Sequence, residues 1–351
     1  MIYQNPQEQI LDLVDRLGSI NKAATELGIA RSTAQARYKA ALAEQDDPTP
    51  PGGNQARSDF EWPDLPDGET PIDELIGRKV SDFRRGREFR TAHKLIDVNV
   101  KKDGPIGLGV FGDPHTDDDG CDIEQLLADA DMVRETDGLY GINVGDSNNL
   151  WPGRLAIKYA DQITRAEDGW RLTEHFVERT RDWVAMMKGN HDHFVGLGDP
   201  LDWIRRPSQY LQADYNIRLR LNFPNGRQFK IWLRHDFAGH SMWNGLHGMV
   251  KAAKMGAGMN LLLAGHRHDV GHHSEYDPYQ GIYFHALRTA GYKEFDDYAE
   301  KLQHEEMTNI YKCPVIIIDP YANNEADFAE VIRNTEKGAD FLTFLRKKRR
   351  V

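Results

Sequence analysis

The sequence predicts an α/β fold, a β-sandwich of mixed sheets flanked by helices, with a small all-α unit ahead of it. Three features predict this. Beyond residue 100, short β-rich runs alternate with longer stretches of helical period. Several of those runs are almost continuously apolar, as in strands covered on both faces. The first 45 residues carry helical periodicity alone and are set off by a segment of Pro, Gly, Asp and Ser.

Within residues 1–45, PQEQILDLVDRLG places Ile10, Leu11, Val14 and Leu17 on one helical face. SINKAATELG reads as a second helix ending at Gly28, and IARSTAQARYKAALAEQ begins a third. Ala23 and Ala24 allow close approach, and Ser32 or Thr33 is placed to cap the third helix. The unit resembles the small helix-turn-helix DNA-binding modules of regulators and phage proteins. That resemblance implies a third helix lying in the major groove and presenting Arg31, Ser32, Thr33, Gln35, Arg37 and Lys39. A three-helix protein-docking module remains the alternative.

Residues 46–71 read as a flexible linker, and residues 72–351 as one catalytic domain. The domain opens on a basic run holding Arg78, Lys79, Arg84, Arg85, Arg87, Arg90 and Lys94, and the chain closes on RKKRR at 346–350. Such runs suit solvent or phosphates. Strand candidates are IGLGVFG, LYGINVG, WVAMMKG, FKIWLRH, NLLLAGH, IYFHALR and PVIIID. Helices are expected in CDIEQLLADADMVRET, ITRAEDGWRLTEHFVERTRDW and MVKAAKMG.

A charged share of 28% and a hydrophobic share of 40% over 351 residues are those of a soluble globular protein. No window approaches the roughly 18 apolar residues of a membrane span. The start, MIYQNPQEQI, lacks a signal-peptide pattern, and two cysteines cannot build a disulfide framework, so a cytoplasmic location without membrane partners is expected. The net charge of -11 argues against a surface that is basic all over, while clustered carboxylates can hold metal ions.

The chemistry sits where the apolar runs end. GVFGDPH ends in Asp113 and His115, GINVGDSNN in Asp146 and Asn149, and WVAMMKGNHD in Asn190, His191 and Asp192. IWLRHD ends in His235, and LLLAGHRH in His266 and His268. Open α/β sheets place ligand sites just past the carboxyl ends of their strands, so five ends would converge on one crevice. Oxygen and nitrogen donors without thiolate suit manganese, zinc, iron or nickel. Their number exceeds what one ion of roughly four to six ligands needs, which points to two metals.

In that order, GDPH, GDSNN, GNHD, RHD and GHRH resemble the motifs of the calcineurin-like metallophosphoesterase superfamily over roughly residues 106–290. The resemblance implies that Asp113, His115 and His268 bind one divalent ion, manganese being the first expectation. Asn190, His235 and His266 would bind the other, Asp146 would bridge them, and a hydroxide held between the ions would be the nucleophile. It further implies that His191 faces the scissile phosphate and protonates the leaving oxygen or stabilises developing charge, with Asp192 fixing its tautomer, and that Asn149 donates to phosphate or hydroxide.

His235 is chosen over His240 because it directly ends its strand, while His240 could line the substrate cleft. His193, His272, His273 and His285 are expected at outer positions or on the surface. Trp151, Trp243 and Arg154 follow site strands and could stack on or clamp a nucleotide. The acidic run Asp117, Asp118 and Asp119 is expected to be a solvated loop. With the basic runs and the amino-terminal unit, the leading expectation is a phosphodiesterase or nuclease acting on DNA, similar to the repair-exonuclease branch and of phage origin. The alternatives are a phosphomonoesterase or protein phosphatase recruited by its amino-terminal unit, and a catalytically inactive DNA-binding or assembly protein. The oligomeric state is left open.

Overall fold

The computed structural model describes residues 5–46, 68–151, 153–160, 162–193, 200–204, 210–295 and 312–349. The chain divides into two units, residues 1–75 and 76–351. Most of the expected linker, Arg350 of the terminal basic run and the Arg154 side chain lie outside the described residues.

In the first unit, Asn5 caps helix α1 (Pro6–Leu17) by accepting the Glu8 amide at 2.8 Å, and Gly18 ends the helix at φ 66°. Ser19 caps α2 (Ile20–Glu26), and α3 follows (Arg31–Asp46). The core is Ile10, Leu13, Ala23, Ala24, Ala34 and Ala41, mostly alanine, which lets three short helices approach closely. Two expectations change here. Leu13, rather than Leu11, joins Ile10 at the centre. Ser32 and Thr33 also lie inside the first turn of α3, because the Ala30 carbonyl already accepts the Ala34 amide and the helix starts before them. Arg31, Ser32, Thr33, Gln35 and Lys39 are exposed and Arg37 is half-buried. Helix α4 (Ile72–Ala92), which belongs to the second unit from Ile76 on, buries none of its side chains, so the cations along it are exposed.

The second unit holds two six-stranded mixed sheets. The first orders β12 (Ala329–Ile332), β11 (Val315–Ile318), β2 (Ile106–Phe111), β3 (Leu139–Asn143), β4 (Trp183–Met187) and β5 (Leu211–Ala213). The second orders β1 (Ile96–Asn99), β6 (Asn216–Asn222), β7 (Gln228–Arg234), β8 (Leu261–Ala264), β10 (Ile282–Arg288) and β9 (Gly271–Asp277). This is the mixed-sheet sandwich expected, and the seven apolar runs are β2, β3, β4, β7, β8, β10 and β11.

Side-chain alternation builds the layers. On β2, Ile106, Leu108 and Val110 point between the sheets toward Leu219, Ile231, Leu261 and Leu263, while Phe111 faces the opposite side. There it packs with Leu126 and Val133 of α5 (Ile123–Glu135) and Phe176 of α6 (Ala166–Thr180). The outer face of the second sheet is covered through Met249 of α9 (His247–Ala252) against Leu262 and Phe284. Truncating a core leucine such as Leu263 to Ala costs about 2–5 kcal/mol. Two short helices, α7 (Asn190–His193) and α8 (Pro200–Ile204), follow β4.

Strands β1, β5, β6, β9 and β12 and the last helix, α10 (Thr335–Arg349), were not expected. α10 buries Thr335, Gly338, Ala339, Leu342 and Arg346 on one face. The terminal cations are therefore partly structural. Arg346 is 7% exposed, donates to the Pro105 carbonyl at 2.7 Å and pairs with Asp137 at 3.0 Å, while Arg349 pairs with Asp319 at 2.7 Å. No helix among the described residues is long and apolar enough to cross a membrane. Cys121 and Cys313 are both free thiols.

Candidate metal centre

Strands β2, β3 and β4 run parallel to one another, and β7 runs parallel to β8. Their carboxyl ends therefore reach the same edge of each sheet, and the sandwich brings the two edges together. Asp113 and His115 follow β2, Asp146 follows β3, and Asn190 follows β4. His235 follows β7, and His266 and His268 follow β8.

The side chains meet in two linked groups. In one, His268 Nε2 lies 3.3 Å from Asp113 Oδ2 and 3.3 Å from His115 Nε2. In the other, His235 Nε2 lies 3.0 Å from Asn190 Oδ1, 3.1 Å from Asp146 Oδ2 and 3.2 Å from His266 Nδ1. The His266 amide donates to Asp113, which ties the groups together. His240 is exposed on Arg267, outside both groups, whereas His235 lies within the second.

The backbone bears the cost of this convergence. Eight non-glycine residues have positive φ among those described, and Asp113, His115, Asp146, His266 and His268 are five of them. Each costs on the order of 1–3 kcal/mol, and such strain concentrates where function requires it. Close approach also explains two glycines of the motifs. A Cβ on Gly189 would overlap the Asp146 carboxylate, and one on Gly265 would overlap that of Asp113, both well inside 3.0 Å.

The donor set fits divalent ions. Asp113 Oδ1 is buried without a hydrogen-bond partner. The facing imidazole nitrogens of His115 and His268, and of His235 and His266, can share at most one proton per pair, which leaves lone pairs aimed at common points. Without an ion, the same groups set one another's charge. Burial works against charge on His235, yet the Asp146 carboxylate, with Asp113 behind it, pushes its pKa up to about 10. Burial likewise opposes charge on Asp146, but His235 first, then His191 and His115, hold its carboxyl far below the usual range. Burial, then His191, lowers His115, and burial, then His235, lowers His266, so both stay neutral donors.

Around the nest, His235 Nδ1–H donates to the Val144 carbonyl at 2.9 Å, which orients Nε2 inward. The His191 amide donates to Asp146 at 2.8 Å, and His191 Nδ1 donates to the Asn149 carbonyl at 2.5 Å. That carbonyl, rather than Asp192, fixes the His191 tautomer. Asp192 instead accepts the backbone amides of Ser147, Asn148 and Gly189 and staples the loop after β3 to the loop after β4. Asn149 is also differently engaged from expectation. Its Nδ2 donates to Asp118 at 2.9 Å, leaving one N–H and its Oδ1 for other contacts.

Of the acidic run only Asp119 is exposed, as expected of a solvated loop; the other two are not. Asp117 is fully buried and accepts the Asn149 and Leu150 amides, and Asp118 is 7% exposed and pairs with Lys293 at 2.8 Å. Trp151 is buried beneath Lys293, whose ammonium lies 4.8 Å from the ring, so it serves packing. Among the outer histidines, His285 is buried, with His272 Nε2 at 3.2 Å from its Nδ1, and His273 pairs with Glu275. His193 packs edge-on against Tyr215.

Sequence reasoning missed Arg288. It ends β10, parallel to β8, and is 1% exposed; Nη1 donates to the Gly265 carbonyl at 2.6 Å and Nη2 to Asp236 at 2.9 Å. It thereby locks the loop of His266 to the loop of His235. The one signal was a cation closing an apolar run whose strand ends beside the others.

No protein-family profile matches the chain, and no curated protein matches it in sequence. Among solved structures, wild-type Vps29 complexed with zinc from Entamoeba histolytica is similar at 12% identity and TM-score 0.32, over 65% of this chain and 98% of that one. A predicted phosphoesterase from Streptococcus pneumoniae TIGR4 is similar at 14% identity and TM-score 0.31, over 62% and 86%. The nuclease MPE of Pseudomonas putida is similar at 16% identity and TM-score 0.29, over 70% and 89%. Values this low assign neither activity nor substrate to the chain.

Proposed function

We propose that this protein is a metal-dependent phosphoesterase that hydrolyses phosphodiesters of DNA. Asp113, His115 and His268 would hold one divalent ion, Asn190, His235 and His266 a second, and Asp146 would lie between them. One observation carries the reading: seven donor side chains from five strand ends share one strained nest in which carboxylates and imidazoles face each other. Manganese suits the mixed oxygen and nitrogen set, with zinc, iron or nickel as alternatives. Two such ions would supply Lewis acidity toward the phosphoryl oxygens and lower the pKa of a water nucleophile.

The chain's own groups do the rest. Asp146 would contribute the negative charge that offsets repulsion between two bound cations, and the His191 amide orients it. With Nδ1–H held by the Asn149 carbonyl, His191 keeps Nε2 as the nitrogen able to deliver a proton to the leaving oxygen. Asp192 and Asp117 brace the loop between them through backbone amides. The exposed polar residues of α3 and the exposed cations of α4 support DNA as the substrate, since a tethered binding unit raises the local concentration of its polymer. The free thiols support a reducing, cytoplasmic location.

The test is a manganese-supplemented assay on single-stranded, double-stranded and nicked DNA beside a mononucleotide and a phosphopeptide. Diester cleavage is expected, with action on long DNA at moderate salt falling when residues 1–70 are removed while small diesters are still cleaved. Preference for the phosphopeptide or mononucleotide would overturn the DNA reading in favour of a recruited phosphatase. Cleavage undiminished by Asp146→Asn would assign it to another protein.

A further inference from the structure

The loop between His235 and α9 is not used by the chemistry above. Its ends are pinned: Phe237 is buried against Trp232, with ring centroids 5.0 Å apart, and Leu246 is buried at the start of α9. Between these anchors Met242 is 83% exposed and Trp243 is 92% exposed. Single exposed apolar side chains are ordinary, so exposure alone decides nothing. Position does.

Both flanks of the tip touch the segment that carries His266 and His268. On one side Arg267 Nη1 donates to His240 Nδ1 at 3.3 Å. On the other, Gly245 lies so near Asp269 that a Cβ would overlap its carboxylate. Trp243 is thus carried on a loop that is pinned on both sides to the residues flanking His268, itself one of the converging donors. Arginine only donates, so His240 Nδ1 is the acceptor and Nε2 carries the proton. Arg267 is itself committed to Asp236 at 3.0 Å, which leaves His240 as an exposed donor three residues from Trp243 on the same loop.

We infer that Trp243 is a stacking platform for a nucleobase next to the scissile phosphate, with His240 Nε2–H donating to the same nucleotide. The inference rests on the phosphoesterase reading and narrows its substrate to nucleotide esters. A flat indole suits any base, because every base presents a π-face, and stacking of this kind tolerates sequence. An extended phosphopeptide has no such face at each residue, and the exposed cations of α4 favour a polyanion.

Two chromogenic diesters with the same leaving group test it: thymidine 5′-(p-nitrophenyl phosphate), which has a base, and methyl p-nitrophenyl phosphate, which has none. Trp243→Ala should lower the ratio of kcat/KM on the nucleotide ester to that on the methyl ester by about 5- to 150-fold, mostly through KM, and Trp243→Phe should restore much of it. In parallel, a short oligothymidylate should quench wild-type fluorescence more than that of Trp243→Phe, a readout independent of turnover. Equal losses on both esters, or equal quenching in both proteins, would overturn the platform. Quenching through Trp243 without hydrolysis of either ester by the wild type would instead refute the phosphoesterase reading and leave the platform standing. A phosphotyrosyl peptide whose hydrolysis depends on Trp243 as strongly as the nucleotide ester would overturn the nucleobase assignment.

Discussion

Replacing Arg288 with Met should weaken metal binding at a site the substituted side chain never reaches. Methionine fills the space of the arginine stem but supplies no donor. Two hydrogen bonds are lost, to the Gly265 carbonyl and to Asp236. The contact with Asp269 at 3.3 Å is an ion pair without hydrogen-bond alignment and counts for less. Each bond from a charged donor is worth about 1.5–3 kcal/mol, and breaking a buried pair costs about 3–5 kcal/mol. Asp236 keeps Arg267, and Asp269 is nearly half exposed, so about 2–4 kcal/mol is the expected loss. At about 2–4 °C per kcal/mol, Tm should fall by roughly 4–16 °C. With the loops of His235 and His266 unlocked, manganese affinity should fall about 10- to 100-fold, the effect expected of partners that orient ligands. Calorimetric titration with manganese, alongside thermal melts, measures both, and Arg288→Lys should recover part of each. A variant that melts early but binds manganese as the wild type does would refute the coupling between Arg288 and the nest.

Gly189→Ala should cut kcat/KM on a small diester by about 100-fold or more, because the new Cβ displaces the Asp146 carboxylate and ångström-scale misplacement costs about that much. His191→Ala should lower kcat by about 100- to 10,000-fold on esters with alkyl leaving groups and far less on p-nitrophenyl esters, with manganese affinity unchanged by titration. Without metal, His235 titrates near 10 when folded, above its ordinary 6.5. The stabilisation from its charge is therefore full below about pH 6.5 and lost as pH rises through about 10. Melts of chelator-treated protein should show Tm falling across that window in the wild type and a flatter profile in Asp146→Asn. For the same reason, loading manganese at pH 7 should release about one proton, seen as a buffer-dependent heat.

The convergence was legible because its donor residues stand at the ends of apolar runs, so that β2, β3, β4, β7 and β8 could be read together with Asp113, Asp146, Asn190, His235 and His266. What escaped was polar structure. β6 alternates buried Ile217, Leu219 and Leu221 with Arg218 and Arg220, and those arginines hid a strand whose period is two. β1 is four residues long and is held by the Arg220 pair with Asp97, a contact between distant positions. The acidic run after His115 looked like a solvated surface because nothing local reveals that backbone amides more than thirty residues away will satisfy Asp117. Arg346 stands in a run that suits solvent or phosphates, and its structural role was hidden for the same reason: Asp137 and the Pro105 carbonyl reach it only in the folded chain.

The two-ion centre itself is tested most directly by anomalous diffraction from crystals soaked in manganese. Two peaks about 3.5–4 Å apart are predicted, one bounded by Asp113, His115 and His268, the other by Asn190, His235 and His266, with Asp146 touching both. A single peak, or peaks away from these side chains, would contradict the account.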